Sequence, residues 1–573
     1  MGQTPSSNQN EPSHLKEEGK QYKGITFNSE EELRESFKRR ILCHFTPLEL
    51  VAFKKKIGHE QTDSEAGVEY ISKNELTNLL HLPRENVLLV DLTYKLIAIL
   101  SNFPLLREPQ TEVTEIGLLM CIILLSKERC HRFIGSNTYD QLGLIFIAMS
   151  LDYADKLLPY ARTPKKLNVE ELLRTFDNIP IDELEIPAPV LLQFLSWGLL
   201  LLIKCPTSNC QLKPINEFYQ NWSSYEKAAK NIIRSMDQSI IRNLTDVRIN
   251  YTQFSDVFKA VLPNFTTPLE SLMGHLLYMD SDLIDHETMP MNNSKLMSEP
   301  LLAQLATVLP KELFLSKLQK LYVGRESGFS MRSLQSKCFN WEAPSILLVS
   351  GMLISDDLQY AKEKNPRYGK FLEQYPKLKE EQQHLDACHS QRKKATFAVY
   401  IDDPWRVTNK EFFGSMNSMI IQLAPRQDVF HASKPNMIYF NTVGGGIGFG
   451  NKQPLISNAH KKYIPGNVSL TIDSTLEFAV FRHIGYGGAF KPSALLTKRG
   501  KEDESFEIKF IIQDVEVWGC GGEKELQEQI KKLEWEEAEA KRRQHINLKS
   551  LGEDRALLEM AGLVGQSQSG GSM

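Results

Sequence analysis

The stretch Phe506-Glu507-Ile508-Lys509-Phe510-Ile511-Ile512-Gln513-Asp514-Val515-Glu516-Val517-Trp518 decides how the second half of this chain folds. Phe506, Ile508, Phe510 and Ile512 recur at every second position, the period of a β-strand. Val515 and Val517 then take the other parity, so the period slips by one across Gln513-Asp514. A β-bulge, one extra residue in one strand of a pair, produces that slip. Other strand-like stretches lie at 345–349, 397–401, 437–441 and 470–481. In the last of these, Leu470, Ile472, Leu476, Phe478 and Val480 share one parity, and Thr471, Asp473, Thr475 and Glu477 take the other. That alternation predicts one buried and one wet face. Glycine-rich turns separate several of the strands. The expectation for residues 295–522 is an antiparallel β-rich domain, two sheets with a few covering helices.

Upstream the grammar is helical. Residues 31–43, 76–82, 87–100 and 117–126 carry apolar residues at helical spacing, and prolines punctuate them. Residues 26–294 are therefore expected to form an all-α domain, which makes the chain α+β. The most apolar run, 186–203, contains Pro187, Pro189, Gln193 and Ser196. Its unbroken part is shorter than the roughly 20 residues needed to span a bilayer, so a buried helix is expected.

Two short stretches look like EF-hand remnants. In Tyr70-Ile71-Ser72-Lys73-Asn74-Glu75, Ile71 stands where the loop's short strand belongs and Glu75 where the bidentate ligand belongs. The earlier ligand positions fall on Ser64, Ala66 and Val68, with Glu69 in place of the turn glycine. Calcium needs several oxygen ligands and that glycine. A second remnant, 167–171, is no better supplied. The expectation is a degenerate EF-hand-like arrangement that binds no calcium and serves helix packing.

The 573 residues carry a net charge of −4, which gives no global electrostatic case for nucleic acid. Cys43, Cys121, Cys130, Cys205, Cys210, Cys338, Cys388 and Cys520 form no CxxC pair and no zinc set, so reduced thiols and no metal are expected. The glycine run 444–450 has no G-x-G-x-x-G register and no Gly-Lys-Ser/Thr, and it follows a strand. Close approach between strands explains it better than a nucleotide. Asp402-Asp403 are adjacent and diverge, and His44, His131, His384, His389 and His483 lack partners at productive spacing. No catalytic residue and no cofactor is expected.

The termini carry the partner-binding expectations. Met1-Gly2-Gln3-Thr4-Pro5-Ser6 matches the N-myristoylation pattern, with Gly2 as the acyl acceptor. It opens a polar tail, 1–25, expected to be disordered. Residues 523–573 are a charged helix and a flexible tail. Glu528/Lys532, Glu537/Lys541 and Glu539/Arg543 are favourable i,i+4 pairs. Leu526, Ile530 and Leu533 make a thin apolar stripe, and Trp535 projects from the other side. A helix with so little apolar surface is expected to project from its domain, with Leu526, Ile530, Leu533 and Trp535 as anchors for a partner.

The second half resembles the TLDc domain family in several separated blocks. Leu321-Tyr322 and Gly328-Phe329-Ser330-Met331-Arg332-Ser333-Leu334 look like its opening block. Ala343-Pro344-Ser345-Ile346-Leu347-Leu348-Val349, Phe397-Ala398-Val399-Tyr400, Pro404-Trp405 and Phe412-Phe413-Gly414 follow in the family's order. The run 444–450, Leu476-Glu477-Phe478, Gly487-Gly488 and Val515-Glu516-Val517-Trp518-Gly519 complete it. A charged insert, 362–380, departs from the common pattern. The family's name includes the word catalytic, yet no accepted catalytic residues come with it. The resemblance implies a non-enzymatic regulator of the vacuolar-type proton ATPase, binding its cytosolic catalytic sector and shifting its assembly, toward disassembly. With a myristoylated Gly2, such a protein is expected at the cytosolic face of the vacuolar membrane. A rival expectation is a stress- or oxidation-resistance protein using a thiol such as Cys338, Cys388 or Cys520, whose reactivity requires a low thiol pKa.

Overall fold

The computed structural model describes residues 22, 24–58, 70–107, 112–136, 138–151, 166–211, 221–237, 244–283, 294–310, 313, 318–354, 365–378, 394–457, 460–500 and 505–521. It also describes ten helical positions between 527 and 542.

Three pairs of very short strands organise the helical half. β1 (Thr26–Phe27) pairs with β4 (Leu167–Asn168), β2 (Tyr70–Ile71) with β3 (Val113–Thr114), and β5 (Glu185–Pro187) with β6 (Arg248–Asn250). Each runs straight into a helix: α1 (Glu30–Cys43), α3 (Lys73–Leu79), α5 (Glu115–Leu125), α8 (Val169–Thr175), α9 (Ala188–Lys204) and α11 (Tyr251–Ala260). Ser29, Ser72, Thr114, Asn168 and Asn250 cap five of these helices through their side chains. A cap of this kind stabilises a helix start by about 1 kcal/mol.

The two remnants, at β2 and β4, pair through short strands as EF-hand-like loops do, but with β3 and β1 and not with each other; β1, β3, β5 and β6 carry no sequence signature. Glu75 closes a capping box: the Ser72 N–H donates to its Oε2 at 2.7 Å. The carboxylate that a calcium site would need is turned toward its own helix start. Ser64, Ala66, Val68 and Glu69 lie outside the described residues.

The remaining helices are α2 (Pro47–Ile57), α4 (Val87–Ser101), α6 (Lys127–Ile134), α7 (Gln141–Ser150), α10 (Trp222–Met236), α12 (Thr267–Gly274) and α13 (Glu299–Ala306). α5, α7 and α9 are buried almost all round, so they form the centre of the bundle. None of the described helices is long and apolar enough to cross a membrane. The expected tail of residues 1–25 needs one correction. Tyr22 is buried, stacks on Phe37 with ring centroids 5.9 Å apart, and donates from its hydroxyl to the Phe133 carbonyl at 3.0 Å.

The β half is built on one continuous hydrogen-bonded sheet, not two separate ones. Its order is β11 (Asp428–His431), β10 (Met419–Ala424), β9 (Lys394–Ile401), β8 (Ser345–Leu353), β18 (Phe506–Gly519), β17 (Phe478–His483), β16 (Val468–Ile472), β13 (Gly446–Phe449) and β12 (Ile438–Asn441). β7 (Gln319–Val323) also pairs with β18. Phe397 on β9 stacks on Phe481 of β17 at 4.9 Å. Three strand steps separate them, about 14 Å in a flat sheet. The sheet therefore curls over into two layers.

β18 is where the layers divide. β8 runs along one edge of it, and the other edge pairs first with β17 (506–511) and then with β7 (516–519). The register shifts between Ile512 and Asp514, the bulge expected from the slip in period. Both edges of the curled sheet are covered by irregular chain. Residues 489–491 bond to the end of β11 and the two residues after it, and Thr408 and Phe413 bond to β12.

Side-chain parity explains the third layer. Leu347, Val349, Phe397, Val399, Phe510 and Val517 face the space between the two β layers. Ile346, Leu348, Ala398, Tyr400, Ile421 and Trp518 face the helices. The wet face expected of 470–481 is overturned in part: Thr471 and Asp473 are buried, while Thr475 is exposed. The front strands are buried on both sides, as the unbroken run Ile346-Leu347-Leu348-Val349 requires. The stretch 470–481 is a hairpin, not one strand. The Asp473 carboxylate accepts from the N–H groups of Thr475 (3.0 Å), Glu477 (2.9 Å) and Phe478 (2.8 Å), which ties the turn.

Four short helices among the described residues, and the antiparallel pair β14 (Lys452–Ile456) and β15 (Lys461–Ile464), complete the half. α14 (Gly324–Ser327) and α15 (Met331–Cys338) follow β7, and α17 (Ala494–Lys498) follows β17. α16 (Pro366–Gln374) lies inside the charged insert. It is no mere charged excursion: Tyr368, Phe371, Leu372 and Tyr375 pack on Tyr463, Phe478 and Val480, covering the back layer.

Candidate partner-binding surface

The helices and the sheet are joined by buried polar contacts that fix where the remaining surfaces point. Gln427 is wholly buried in the turn between β10 and β11. Its Nε2 donates to Thr307 at 2.9 Å, its Oε1 accepts from Gln304 at 3.0 Å, and its carbonyl accepts from Ser235 at 2.5 Å. Glu516 makes a second joint from β18. It accepts from the N–H groups of Leu296 (3.1 Å) and Met297 (3.2 Å), from Ser294 (2.8 Å) and from the Trp518 ring N–H (3.0 Å). With four donors on one buried carboxylate, this end of β18 is held firmly against the chain that precedes β7.

From that fixed end the chain continues into the C-terminal helix. Residues 527, 528, 530, 531, 534, 535, 538, 539, 541 and 542 are helical. Ile530 is 45 % exposed and Trp535 65 % exposed. Two of the four expected anchors are thus presented to solvent, while Leu526 and Leu533 lie outside the described residues, as does Gly2. A tryptophan left this open is an unusual use of a large apolar ring, and such rings dominate interface energetics when buried by a partner.

A cleft of about 580 Å³ opens where β18 changes partners, lined by Phe329, Arg367, Leu476, Glu477, Phe478 and Gln513 among others. Arg367 and Glu477 pair at 2.6 Å on its rim. The two charges satisfy one another, and the rest of the lining mixes apolar side chains with Asn365, Thr475 and Gln513 and holds no further acid or base.

The other chemically suggestive residues have structural employment. Asp403 accepts from the Gly414 N–H at 3.0 Å, and Asp402 holds Ser415 and Asn417, so the adjacent carboxylates tie one loop and form no acid/base pair. Asp428, Ser493 and His483 meet in the core, a trio that no sequence motif announces. The Ser493 hydroxyl donates to Asp428 at 2.7 Å, while the Ser493 backbone N–H donates to His483 Nε2 at 3.0 Å. A nucleophilic triad needs the hydroxyl on the imidazole. Here it points to the carboxylate, and burial pushes the Asp428 carboxyl above its usual range.

The thiols fare likewise. Cys338 and Cys520 are buried; burial raises the first strongly and pushes the second up to about 12. A thiol so shifted carries almost no thiolate at neutral pH. Cys388 lies outside the described residues. Among those residues, no three His, Cys, Asp or Glu side chains converge on a metal position.

The glycine run forms the β12–β13 hairpin. A Cβ on Gly446 would stand 2.3 Å from the Ile472 carbonyl, and one on Gly448 would stand 2.3 Å from the Tyr439 ring. The glycines serve close strand approach, as the sequence suggested.

Comparison with known proteins extends these observations to the whole chain. The family model for the TLDc domain matches residues 291–521. Restriction of telomere capping protein 5 of Saccharomyces cerevisiae (strain ATCC 204508 / S288c) is 50 % identical over 582 residues, covering 100 % of both chains. The protein of that name from Vanderwaltozyma polyspora is 47 % identical over 576 residues, again covering 100 % of both. The one from Kluyveromyces lactis is 48 % identical over 559 residues, 95 % of this chain and 96 % of its own. Relatedness of that extent, with the TLDc sheet at its centre, places this chain in the TLDc family, among full-length relatives of restriction of telomere capping protein 5.

Proposed function

We propose that this protein is a non-enzymatic regulator that binds the cytosolic catalytic sector of the vacuolar proton ATPase and shifts its assembly equilibrium toward disassembly. The observation that carries the proposal is the exposed C-terminal helix with Trp535 and Ile530 presented to solvent. In the sequence it follows β18, which Glu516 clamps to the segment ahead of β7. A rigid base and an uncovered aromatic anchor suit a binder. Binding one assembly state better than another moves the equilibrium by the difference in affinity and requires no catalytic residue. The telomere phenotype in the relatives' name is then indirect, since a chain of net charge −4 offers DNA no global attraction.

The test is a crosslinking pulldown from vacuolar membranes, comparing the intact protein with a chain ending at Gly522. The intact protein is expected to bring down ATPase subunits, and the shortened one to lose them at least tenfold. Equal recovery would remove the helix from the account; no subunits with either would remove the ATPase.

In the same proposal, Gly2 carries a myristoyl group that tethers the protein to the vacuolar membrane. One such chain binds only reversibly, at around 10⁴ M⁻¹, so a second contact is needed for stable residence. The membrane-bound ATPase supplies one by raising effective concentration. Gly2→Ala is expected to move most of the protein from the membrane to the soluble fraction on fractionation. Undiminished membrane recovery would refute acylation at Gly2.

A further inference from the structure

The corner between α1 and α2 carries an apolar and basic surface that no other described residue covers. In α2, Ala52 and Phe53 are buried against the bundle. The opposite stripe holds Leu48, 81 % exposed, Val51, 55 % exposed, and the exposed Lys54 and Lys55. Leu42, 40 % exposed, and Arg39 stand in the last turns of α1, just across the corner. Among the described residues, the acidic groups on α2 and paired with it are engaged. Glu49 caps α2 and meets the Arg129 guanidinium at 2.5 Å, and Asp280 pairs with Lys56 at 2.9 Å. Glu30, Glu31 and Glu32 sit in the first turn of α1, about 15 Å from its last turn. Lys54 and Lys55 make no ion pair among the described residues.

The described chain begins on α1, one side of this corner. Tyr22 lies on α1 itself, with its ring on Phe37 and the Arg40 guanidinium 4.3 Å above it. Gly2 stands twenty residues upstream. A chain of that length spans about 70 Å at most. An acyl group on Gly2 that enters a bilayer therefore holds α1 and α2 within reach of the same surface.

We propose that the α1–α2 corner, through Leu42, Leu48, Val51, Lys54 and Lys55, seats on an anionic lipid bilayer beside the acyl group. This rests on the myristoylation reading. The acyl chain makes the second contact intramolecular, so a modest patch suffices. Each lysine near an anionic surface strengthens binding about fivefold, and exposed leucine and valine enter the interface between headgroups and chains. The corner then sets which side of the protein faces the membrane before any protein partner is met.

The test measures partition of the full-length acylated chain onto vesicles of phosphatidylcholine alone or mixed with phosphatidylserine. Leu48→Glu/Val51→Glu and Lys54→Glu/Lys55→Glu are each expected to weaken binding to mixed vesicles about tenfold or more. The lysine pair should scarcely change binding to neutral vesicles, and added salt should abolish the preference for mixed ones. All four positions are exposed, and matched melting curves confirm folding. Unchanged partition of both variants on mixed vesicles overturns the proposal. So does unchanged partition combined with lost capture of ATPase subunits, which makes the corner a protein contact. Gly2→Ala separates the two readings. If it binds like the unsubstituted chain, acylation fails; the corner still stands or falls by whether the lysine variant loses salt-sensitive binding to mixed vesicles.

Discussion

Glu516→Ala is expected to destabilise the protein by about 3–5 kcal/mol. The carboxylate is buried and all four of its partners are donors: two backbone N–H groups, a hydroxyl and an indole N–H. Each buried donor left without an acceptor costs about 1–3 kcal/mol, and the void left by the side chain adds to that. The hydroxyl of Ser294 can still serve the Met297 N–H at 2.9 Å, so the sum is smaller than four full penalties. Glu516→Gln should recover little, because its NH₂ group finds donors where it needs an acceptor. A chain of this size need not unfold in one step, so the readout is the midpoint of chemical denaturation together with the rate of limited proteolysis near residue 294. An unchanged midpoint would show that Glu516 is no joint.

Gly446→Ala is expected to cost about 2–4 kcal/mol and to lower the melting temperature of the β half by roughly 5–10 °C. Two effects add there. Gly446 has φ +75°, where a side chain is strained, and its Cβ would collide with the Ile472 carbonyl of the neighbouring strand. The obstacle is backbone, which cannot swing aside as a side chain can. Gly444 has φ +94° with open space around it, so Gly444→Ala isolates the strain and should cost only about 1 kcal/mol. Equal melting of the two variants would mean that close strand approach is not what these glycines serve.

The bulge in β18 was legible because the sheet is buried on both sides of it. A slip in register there moves large residues between two cores, and the amino-acid pattern cannot conceal that. The turn at 473–477 was not legible. It contains neither glycine nor proline, and Leu476 adopts φ +56° with Asp473 as the tie, so alternation ran through it undisturbed. The aromatic cover on the back layer was hidden for another reason. Tyr368, Phe371, Leu372 and Tyr375 make a helical stripe only four residues deep, set among many charges.

The candidate surfaces divide in the same way. The C-terminal helix could be found because its composition is too poor in apolar residues for a core element. The α1–α2 corner could not, because Leu48 and Val51 look no different in sequence from Ala52 and Phe53. Only the packing of α2 says which pair meets water. The Asp428–Ser493–His483 trio was invisible because its members are far apart in sequence, and geometry assigns it to the core.

The long ladder between β18 and β8 has a mechanical consequence. Consider tension applied to the C-terminal end of β18 along the axis of the strand. The ladder between β18 and β8 runs from Phe510 to Gly519, so tension loads its bonds together, in shear, instead of peeling them one at a time. Such a strand resists being drawn out from its C-terminal end, and the load is shared across the middle of the sheet.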